Sequence, residues 1–336
     1  MEPASPKPQI SDPPPGSHPP WSRIRGLLLA ACTLAGICVI LATLLALLSP
    51  WFWWADNLTH FRGQYCLLLL LPLLVWVRKH AWKPALAGLI ALGWNAAFLT
   101  PLYWPQAPPA DHTRATLTIL LSNVLTQNHT PERVVAYLRQ TDADVVLLQE
   151  IDEAWVTRLK PWSIRYPHRM EYAQPDNFGI GLYSRQELLH RRFDPLDEKT
   201  TPTIGIRFHF DGLDVQLLAI HTLPPVSPSY WSTRNQQLES IGRWCRGAAG
   251  TGMVVGDLNI TPFSPFFTKL MQEGGLTHAR RGFGLIPTWP ANGPAFWIPL
   301  DTVLVQEQLR VVGIHRGPDV GSDHHPILVR IQRRSS

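Results

Sequence analysis

The chain has 336 residues, of which 45% are hydrophobic and only 16% are charged. Globular proteins carry about 25% charged residues, so part of this chain is expected in an apolar environment. Residues 1–110 hold seven Lys or Arg and three Asp or Glu, so most of the net charge of +5 lies there. The remainder is close to neutral, which argues against a nucleic-acid binder driven by bulk positive charge. It does not exclude a nucleic-acid enzyme. Four cysteines exclude a disulfide-rich scaffold.

The N-terminal part begins with a proline-rich segment. Eight prolines lie in the first 20 residues, a composition that cannot build a core. Residues 1–25 are therefore predicted to be a disordered tail on the cytoplasmic side.

Three apolar runs follow, in residues 26–104. Gly26–Leu48 has 23 residues and no charge, long enough to cross a hydrocarbon core of about 30 Å. A cleaved signal peptide is the alternative, but its apolar region is usually about 7–15 residues long. Tyr65–Val77, with 13 residues, is too short to span by itself and is also compatible with a re-entrant or interfacial helix. Ala85–Trp104 is long enough. The region is predicted to contain about three transmembrane helices.

The positions of basic residues predict the orientation of these helices. Arg23 and Arg25 flank the first run, and Arg78, Lys79 and Lys83 lie between the second and third. Lys and Arg concentrate in cytoplasmic loops, and three spans put both clusters there. Two spans would misplace one cluster or leave the C-terminal part in the cytoplasm. We therefore expect a multi-pass protein of the cell inner membrane, with the lipid bilayer as a partner, residues 105–114 as a linker, and an extracytoplasmic (periplasmic) domain over residues 115–336.

That domain is predicted to be of the α/β (α+β) class. Short β-branched segments alternate only in part with amphipathic helices, which indicates mixed sheets covered by helices. The predicted strands are Leu117–Leu121, Asp144–Leu148, Phe178–Tyr183, Thr203–Phe210, Val215–Ile220, Met253–Val255, Asp301–Val305, Arg310–Ile314 and Ile327–Ile331. The predicted helices are Pro131–Arg139, Ser229–Arg246 and Pro265–Gln272.

Polar residues stand directly at the ends of these apolar strands. Sites in open sheets gather at strand ends, where a rigid scaffold presents side chains to one crevice. Carboxylates and amides of this kind suit a hard cation such as Mg²⁺, which takes one or two carboxylates and keeps waters and substrate phosphates. The imidazoles are available for proton or phosphate chemistry. Zinc would require several His or Cys around one point, which the spacing does not offer. The set comprises Asn123, Glu150, His221, Asp257, Asn259, Asp301, Asp323 and His324.

In their order, these motifs resemble the endonuclease/exonuclease/phosphatase superfamily, which has the DNase I-like fold. A membrane segment ahead of such a domain is similar to the bacterial membrane-anchored members. The resemblance covers about Leu117–Ile331 and implies a four-layered α/β sandwich that hydrolyses phosphoesters with a divalent metal. The motifs are Ser-Asn-Val at 122–124, Leu-Gln-Glu at 148–150, Gly-Ile-Gly-Leu-Tyr-Ser-Arg at 179–185, Ile-His-Thr at 220–222, Gly-Asp-Leu-Asn at 256–259, Leu-Asp-Thr-Val-Leu-Val at 300–305 and Ser-Asp-His-His-Pro at 322–326.

The resemblance also implies a metal site. Glu150 would be the principal ligand of Mg²⁺, or alternatively Mn²⁺, with Asn123 and Asp323 near the ion. The family often has a basic residue shortly before Asp301, and this sequence lacks it. A substrate-facing contact is therefore expected to be absent.

Five further residues would carry the chemistry on the same resemblance. Asp257 would orient or deprotonate the attacking water, and Asn259 would fix the water and the phosphate. His324 would contact the phosphate and act in acid/base work, with Asp301 holding its other ring nitrogen. His221 would donate to a phosphate oxygen from the opposite wall.

The substrate stays open at the level of sequence. A phosphodiesterase or endonuclease acting on nucleic acid is the broad default, and a phospholipid or glycolipid phosphodiesterase is the alternative, since a near-neutral domain tethered to a bilayer suits a lipid head group. A catalytically inactive membrane scaffold is the second alternative. The completeness of the acidic and imidazole set weighs against the scaffold.

Overall fold

The computed structural model describes residues 20–105, 109–196 and 200–334. Residues 20–104 form four α-helices. These are α1 (Pro20–Leu45), α2 (Trp53–Thr59), α3 (Arg62–Arg78) and α4 (Trp82–Tyr103). The prediction of a disordered tail is wrong for residues 20–25, which are helical, since a proline is tolerated at the first position of a helix. The rest of that tail, and residues 106–108 of the predicted linker, lie outside the described residues.

Two of the helical segments, Arg23–Leu48 and Trp82–Tyr103, are long and apolar enough to cross a membrane. The pair α2 and α3 passes the same test when taken together, although the two helices meet at an angle of 69°. Helix α3 has 17 residues and is longer than its apolar run, reaching about 26 Å at roughly 1.5 Å per residue.

Helices α1, α3 and α4 pack side by side, with α3 antiparallel to the other two. At one end, the Arg62 guanidinium donates to Asn95 Oδ1 at 2.9 Å, and Asn95 Nδ2 donates to Thr43 Oγ1 at 2.9 Å. Near the other end, a Cβ on Gly36 would lie 2.6 Å from the Trp76 ring. The start of α3 therefore lies beside the ends of α1 and α4, and the basic residues of both predicted cytoplasmic clusters lie at the opposite end.

The C-terminal part contains two six-stranded sheets, each of mixed direction. The order in the first sheet is β11-β12-β1-β2-β4-β3, and the order in the second is β5-β6-β7-β8-β10-β9. The strands are β1 (Leu117–Asn123), β2 (Val145–Gln149), β3 (His168–Tyr172), β4 (Ile180–Ser184), β5 (Leu188–Phe193), β6 (Thr203–Phe210), β7 (Leu213–Ile220), β8 (Thr251–Asp257), β9 (Leu276–His278), β10 (Asp301–Gln306), β11 (Leu309–Arg316) and β12 (Ile327–Arg333).

The two sheets face each other across the main hydrophobic core, which is built from alternate residues of their strands. A second core lies between the first sheet and helices α5 (Pro131–Gln140) and α6 (Glu153–Ser163). A third lies between the second sheet and helices α7 (Pro228–Arg246) and α8 (Pro265–Gly274). This helix–sheet–sheet–helix order confirms the predicted four-layered DNase I-like sandwich.

Within the described residues of the sandwich, four α-helices and strands were not predicted from sequence: α6, β3, β5 and β9. The outer strands β3 and β5 have partly or fully exposed residues, so they lack the apolar alternation that marks a half-buried strand. Strand β9 has only three residues. All three strands lie at sheet edges, where burial is lowest.

Candidate active site

The ends of β1 and β2 bring the first two predicted residues together. The strands are parallel and pair Asn123 with Gln149, so Asn123 lies beside the next residue, Glu150. Asn123 Nδ2 donates to Glu150 Oε1 at 2.7 Å. Glu150 adopts φ 62°, a left-handed conformation that costs a side-chain-bearing residue about 1–3 kcal/mol and concentrates at functional sites. Burial raises the pKa of Glu150, and the hydrogen bond from Asn123 opposes that rise.

Gln149 connects this strand end to the other sheet. Its Nε2 donates to the Ile220 carbonyl at 2.9 Å, and its Oε1 accepts from the Asp257 backbone N–H at 3.0 Å. The backbones of β7 and β8 come very close together here. A Cβ on Gly256 would lie 1.7 Å from the Ile220 carbonyl oxygen, so only glycine fits at that position. Gln149 thus holds the ends of β2, β7 and β8 at one place.

Asp257, Asp301 and His324 form a buried acid–imidazole–acid arrangement. Strands β8 and β10 are antiparallel and place Asp257 directly opposite Asp301. His324 Nδ1 donates to Asp301 Oδ2 at 2.8 Å, while His324 Nε2 lies 3.6 Å from Asp257 Oδ2. The imidazole is therefore fixed between two carboxylates, with its orientation set by the Asp301 bond.

The electrostatics of this arrangement favour a charged imidazole. Burial alone lowers the pKa of His324, but Asp301, Asp257 and Asp323 outweigh it and raise the pKa to about 10. Burial raises the pKa of Asp257 to about 7, against the opposing charge of His324. Burial acts to raise the pKa of Asp301, but the charge and hydrogen bond of His324 hold that pKa below its usual range.

His221 and Asn259 flank Asp257. His221 Nε2 lies 3.7 Å from Asp257 Oδ2, and burial, reinforced by the His324 charge, lowers the pKa of His221 to about 4. The Asn259 backbone N–H donates to Asp257 Oδ1 at 2.8 Å, and its side chain donates to the Thr222 carbonyl at the same distance. Burial thus favours the neutral form of His221, and Asn259 holds the Asp257 carboxylate in place.

A cleft of about 600 Å³ collects most of the predicted residues. Asn123 and Asp301 lie behind its surface, each hydrogen-bonded to a lining residue. The predicted residues that line it are Glu150, His221, Asp257, Asn259, Asp323 and His324.

The donor set fits a divalent cation. Among the described residues, Glu150 Oε2, Asp301 Oδ1 and Asp323 Oδ1 are buried and have no hydrogen-bond partner, although a buried carboxylate oxygen normally has one. Ligand atoms of Asp257, Asp301 and His324 also lie within 4.8 Å of one another and form a possible metal group. Within that group, His324 Nδ1 is already hydrogen-bonded to Asp301. Glu150 and Asp323 therefore have carboxylate oxygens that are more available to a metal ion.

Several residues outside the predicted catalytic and metal set also hold this site. Trp289 Nε1 donates to Asp323 Oδ2 at 3.1 Å, and Thr288 Oγ1 accepts from the Asp301 backbone N–H at 3.2 Å. Arg280 is fully buried and its charge acts on Asp301. In the sequence, Thr288-Trp289-Pro290 was an open candidate for lining the cleft, with no assigned role, and Trp289 does line it. Nothing in the local pattern marked Arg280.

Helix α2 contributes a further part of the site that the sequence did not predict. Asp56 is fully buried and accepts from Arg234 Nη2 at 2.6 Å, from Ser264 Oγ at 2.6 Å and from Trp231 Nε1 at 3.0 Å. Arg234 also donates to the Asn259 carbonyl at 2.9 Å. A chain of two hydrogen bonds therefore connects the N-terminal helices to Asn259, two residues after the end of β8 at Asp257.

We expect Asp56→Ala to destabilise the full chain by about 3–5 kcal/mol, because it leaves the buried Arg234 charge without a partner. Thermal unfolding in detergent measures the change. The double variant Asp56→Ala/Arg234→Met should recover part of the loss, since it removes the unpaired charge. Asp319→Ala is the matched control, because its pair with Arg133 is exposed and such pairs contribute about 0–1 kcal/mol. Equal shifts for Asp56→Ala and Asp319→Ala would contradict the expectation.

The comparisons with known proteins agree with this fold. The model of the endonuclease/exonuclease/phosphatase family matches residues 120–324. The fold and the site define a class, hydrolases of phosphoester bonds. The chain belongs to the endonuclease/exonuclease/phosphatase family, which confirms the resemblance found in the sequence. A search of the curated proteins found no match.

Solved structures with the same fold come from several sources. TDP2 from D. rerio, complexed with a single-strand DNA product, is 18% identical to this chain, with a TM-score of 0.56. The alignment covers 65% of this chain and 99% of the TDP2 chain. Sphingomyelinase C from Streptomyces griseocarneus is 17% identical, with a TM-score of 0.51 and coverage of 64% and 99%. An endonuclease/exonuclease/phosphatase from Bacteroides vulgatus is 17% identical, with a TM-score of 0.53 and coverage of 66% and 100%.

Proposed function

We propose that the chain is a membrane-anchored, Mg²⁺-dependent phosphodiesterase that cleaves its substrate by in-line attack of water. The observation that carries the proposal is the convergence of the His324–Asp301 pair, Asp257 and the unpaired Glu150 oxygen in one cleft. An acid–base pair and a buried, partly uncompensated carboxylate are what metal-assisted phosphoester hydrolysis requires.

The three predicted metal residues fit this proposal. Glu150 would hold the ion through Oε2, with Asn123 orienting the carboxylate through Oε1. Asp323 would stand near the ion with its free Oδ1, steadied by Trp289. A bound Mg²⁺ supplies Lewis acidity that neutralises charge on the phosphate oxygens; Mn²⁺ is the alternative.

The remaining residues would move the protons and position the phosphate. Asp257 would orient the water and accept its proton, with Asn259 holding that carboxylate. His324, charged and held by Asp301, would contact the phosphate and donate toward the leaving oxygen. Neutral His221 would donate a hydrogen bond to a phosphate oxygen from the opposite wall. Fixing the His324 ring through Asp301 sets which ring nitrogen faces the substrate.

The full chain in lipid nanodiscs tests this proposal. With Mg²⁺ present, it should hydrolyse bis(4-nitrophenyl) phosphate, a small soluble phosphodiester, and chelation of the metal should stop the reaction. Asp257→Asn should lose most of the turnover. If bis(4-nitrophenyl) phosphate, an oligonucleotide and phospholipid vesicles all remained intact, the inactive-scaffold alternative would replace the enzyme.

The proposal includes an orientation in the cell inner membrane, with three spans and the catalytic domain on the periplasmic side. The antiparallel packing of α1, α3 and α4, with the basic residues at the end away from the catalytic domain, supports it. A reporter fused after Ser336 should be active only when it works outside the cytoplasm. Activity of a cytoplasm-only reporter at that point would mean that the Tyr65–Val77 segment of α3 does not span.

A further inference from the structure

The active-site cleft is built by two parts of the chain. Its catalytic floor comes from the sandwich, but Asn57, His60 and Phe61, from α2 and the turn after it, line the same cleft. Asn57 Nδ2 donates to the Pro225 carbonyl at 3.1 Å, and His60 Nδ1 is hydrogen-bonded to Thr261 Oγ1 at 2.9 Å. The cleft is therefore incomplete without the segment between the apolar helices α1 and α3.

The wall that α2 joins is apolar, in contrast to the floor. Val226 and Tyr230 line the cleft and are 67% and 43% exposed. Phe61 also lines it and packs edge-on against Phe296, which is 61% exposed, with ring centroids 6.5 Å apart. A polar, acidic floor beside exposed apolar side chains matches a molecule that is polar at its phosphate and apolar elsewhere.

The cleft also lacks the groups that a polynucleotide needs. Among the described residues that line it there is no Lys or Arg. Polynucleotide binding depends on Lys and Arg that neutralise several successive backbone phosphates, not only the one that reacts. A substrate with a single phosphodiester makes no such demand.

The apolar wall continues into the helices that are proposed to cross the membrane. Trp51, Phe52 and Trp54, just before and within α2, are exposed, as expected of aromatic residues at a membrane–water interface. At the start of α3, Gln64 Nε2 donates to the Trp297 carbonyl at 2.9 Å, and the end of α4 lies against Gly284. The cleft therefore lies beside the ends of these helices.

We propose that the substrate is a bilayer lipid with a phosphodiester in its head group, which enters the cleft along the Phe61–Val226–Tyr230 wall while its acyl chains stay in the membrane. This inference rests on the proposed phosphodiesterase activity. The water oxygen forms a bond to phosphorus, and the bond from phosphorus to the leaving alcohol oxygen breaks. The water proton passes to Asp257, and His324 supplies the proton that the leaving oxygen takes up, so the products are a phosphomonoester and an alcohol.

The test uses the full chain reconstituted in vesicles of phosphatidylethanolamine, phosphatidylglycerol, phosphatidylcholine and sphingomyelin. Mass spectrometry should find the phosphomonoester and alcohol products of at least one of these lipids. A single-stranded oligonucleotide should be cleaved far less efficiently. Cleavage of the oligonucleotide or of bis(4-nitrophenyl) phosphate without cleavage of any lipid would overturn the lipid assignment alone. Absence of all cleavage would remove the proposed function as well.

Val226→Asp tests the route of entry. A carboxylate on the apolar wall opposes the approach of acyl chains, so the ratio of lipid kcat/KM to bis(4-nitrophenyl) phosphate kcat/KM should fall by about tenfold or more. Ile164→Asp is the matched control, because Ile164 is 82% exposed on the catalytic domain and does not line the cleft. It should leave the ratio unchanged. An unchanged ratio in Val226→Asp would overturn the proposed entry along this wall.

Discussion

His324→Ala is expected to lower turnover by about 10²–10⁴-fold, the usual cost of losing a general acid or base. The side chain is the only imidazole within hydrogen-bonding distance of Asp301 in the described chain, and it separates that carboxylate from Asp257. Initial rates on bis(4-nitrophenyl) phosphate at saturating Mg²⁺ measure the effect. Affinity for the metal should change little, because the imidazole is assigned to phosphate and proton chemistry.

Two further variants control this experiment. His324→Gln keeps an amide donor near Asp301, so it should preserve folding more fully than Ala without restoring turnover. His209→Ala removes an exposed imidazole from the end of β6 and should have no effect on the rate. Full turnover in His324→Ala would show that the assigned role is wrong.

Glu150→Gln is expected to weaken metal binding while keeping the shape of the side chain. The change removes the buried negative charge that Oε2 offers, and it leaves an amide where a hard cation prefers a carboxylate. A ligand that binds only the folded state stabilises it in proportion to RT ln(1 + [L]/Kd), so Mg²⁺ should raise the Tm of the natural chain. In Glu150→Gln, a higher Mg²⁺ concentration should be needed to reach half of the maximal increase in Tm.

Glu153→Gln is the matched control for this titration, since Glu153 is an exposed carboxylate in the first turn of α6. Its Mg²⁺ response should equal that of the natural chain. Excess Mg²⁺ should also restore part of the turnover in Glu150→Gln. An identical thermal response in Glu150→Gln and Glu153→Gln would require the metal to be assigned elsewhere, with the Asp257, Asp301 and His324 group as the first alternative.

The sandwich and its site were largely predictable because their signals are local. A continuous apolar run indicates a buried strand, and a polar residue directly after that run lies at the end of the strand. Asn123, Glu150 and Asp257 all follow this rule, and the strand pairing brings them to one cleft. The ordered motifs then allowed Asp301 and His324 to be paired before any distance was known.

The residues that were missed act through contacts between distant parts of the chain. Arg280 has no local pattern that separates it from ordinary core or surface residues, although its charge acts on Asp301. Gln149 lies in the Leu-Gln-Glu motif, but its partners in the other sheet are set only when the two sheets meet. Asp56 lies 178 positions before Arg234, and in the sequence it is a single acid among apolar and aromatic residues.

By itself, the sequence determined the apolar helices, the α/β class and the acids and imidazoles at the strand ends, because hydrophobic periodicity and strand-end polarity are local properties of the chain. The four-layered sandwich and the family followed from the resemblance of the ordered motifs to a known family. Only the tertiary structure decided that α2 closes the catalytic cleft. That contact depends on the 69° bend between α2 and α3, on the docking of Asn57 and His60, and on the burial of Asp56 against Arg234. These contacts join residues that are far apart in the sequence, so no local pattern of residues specifies them.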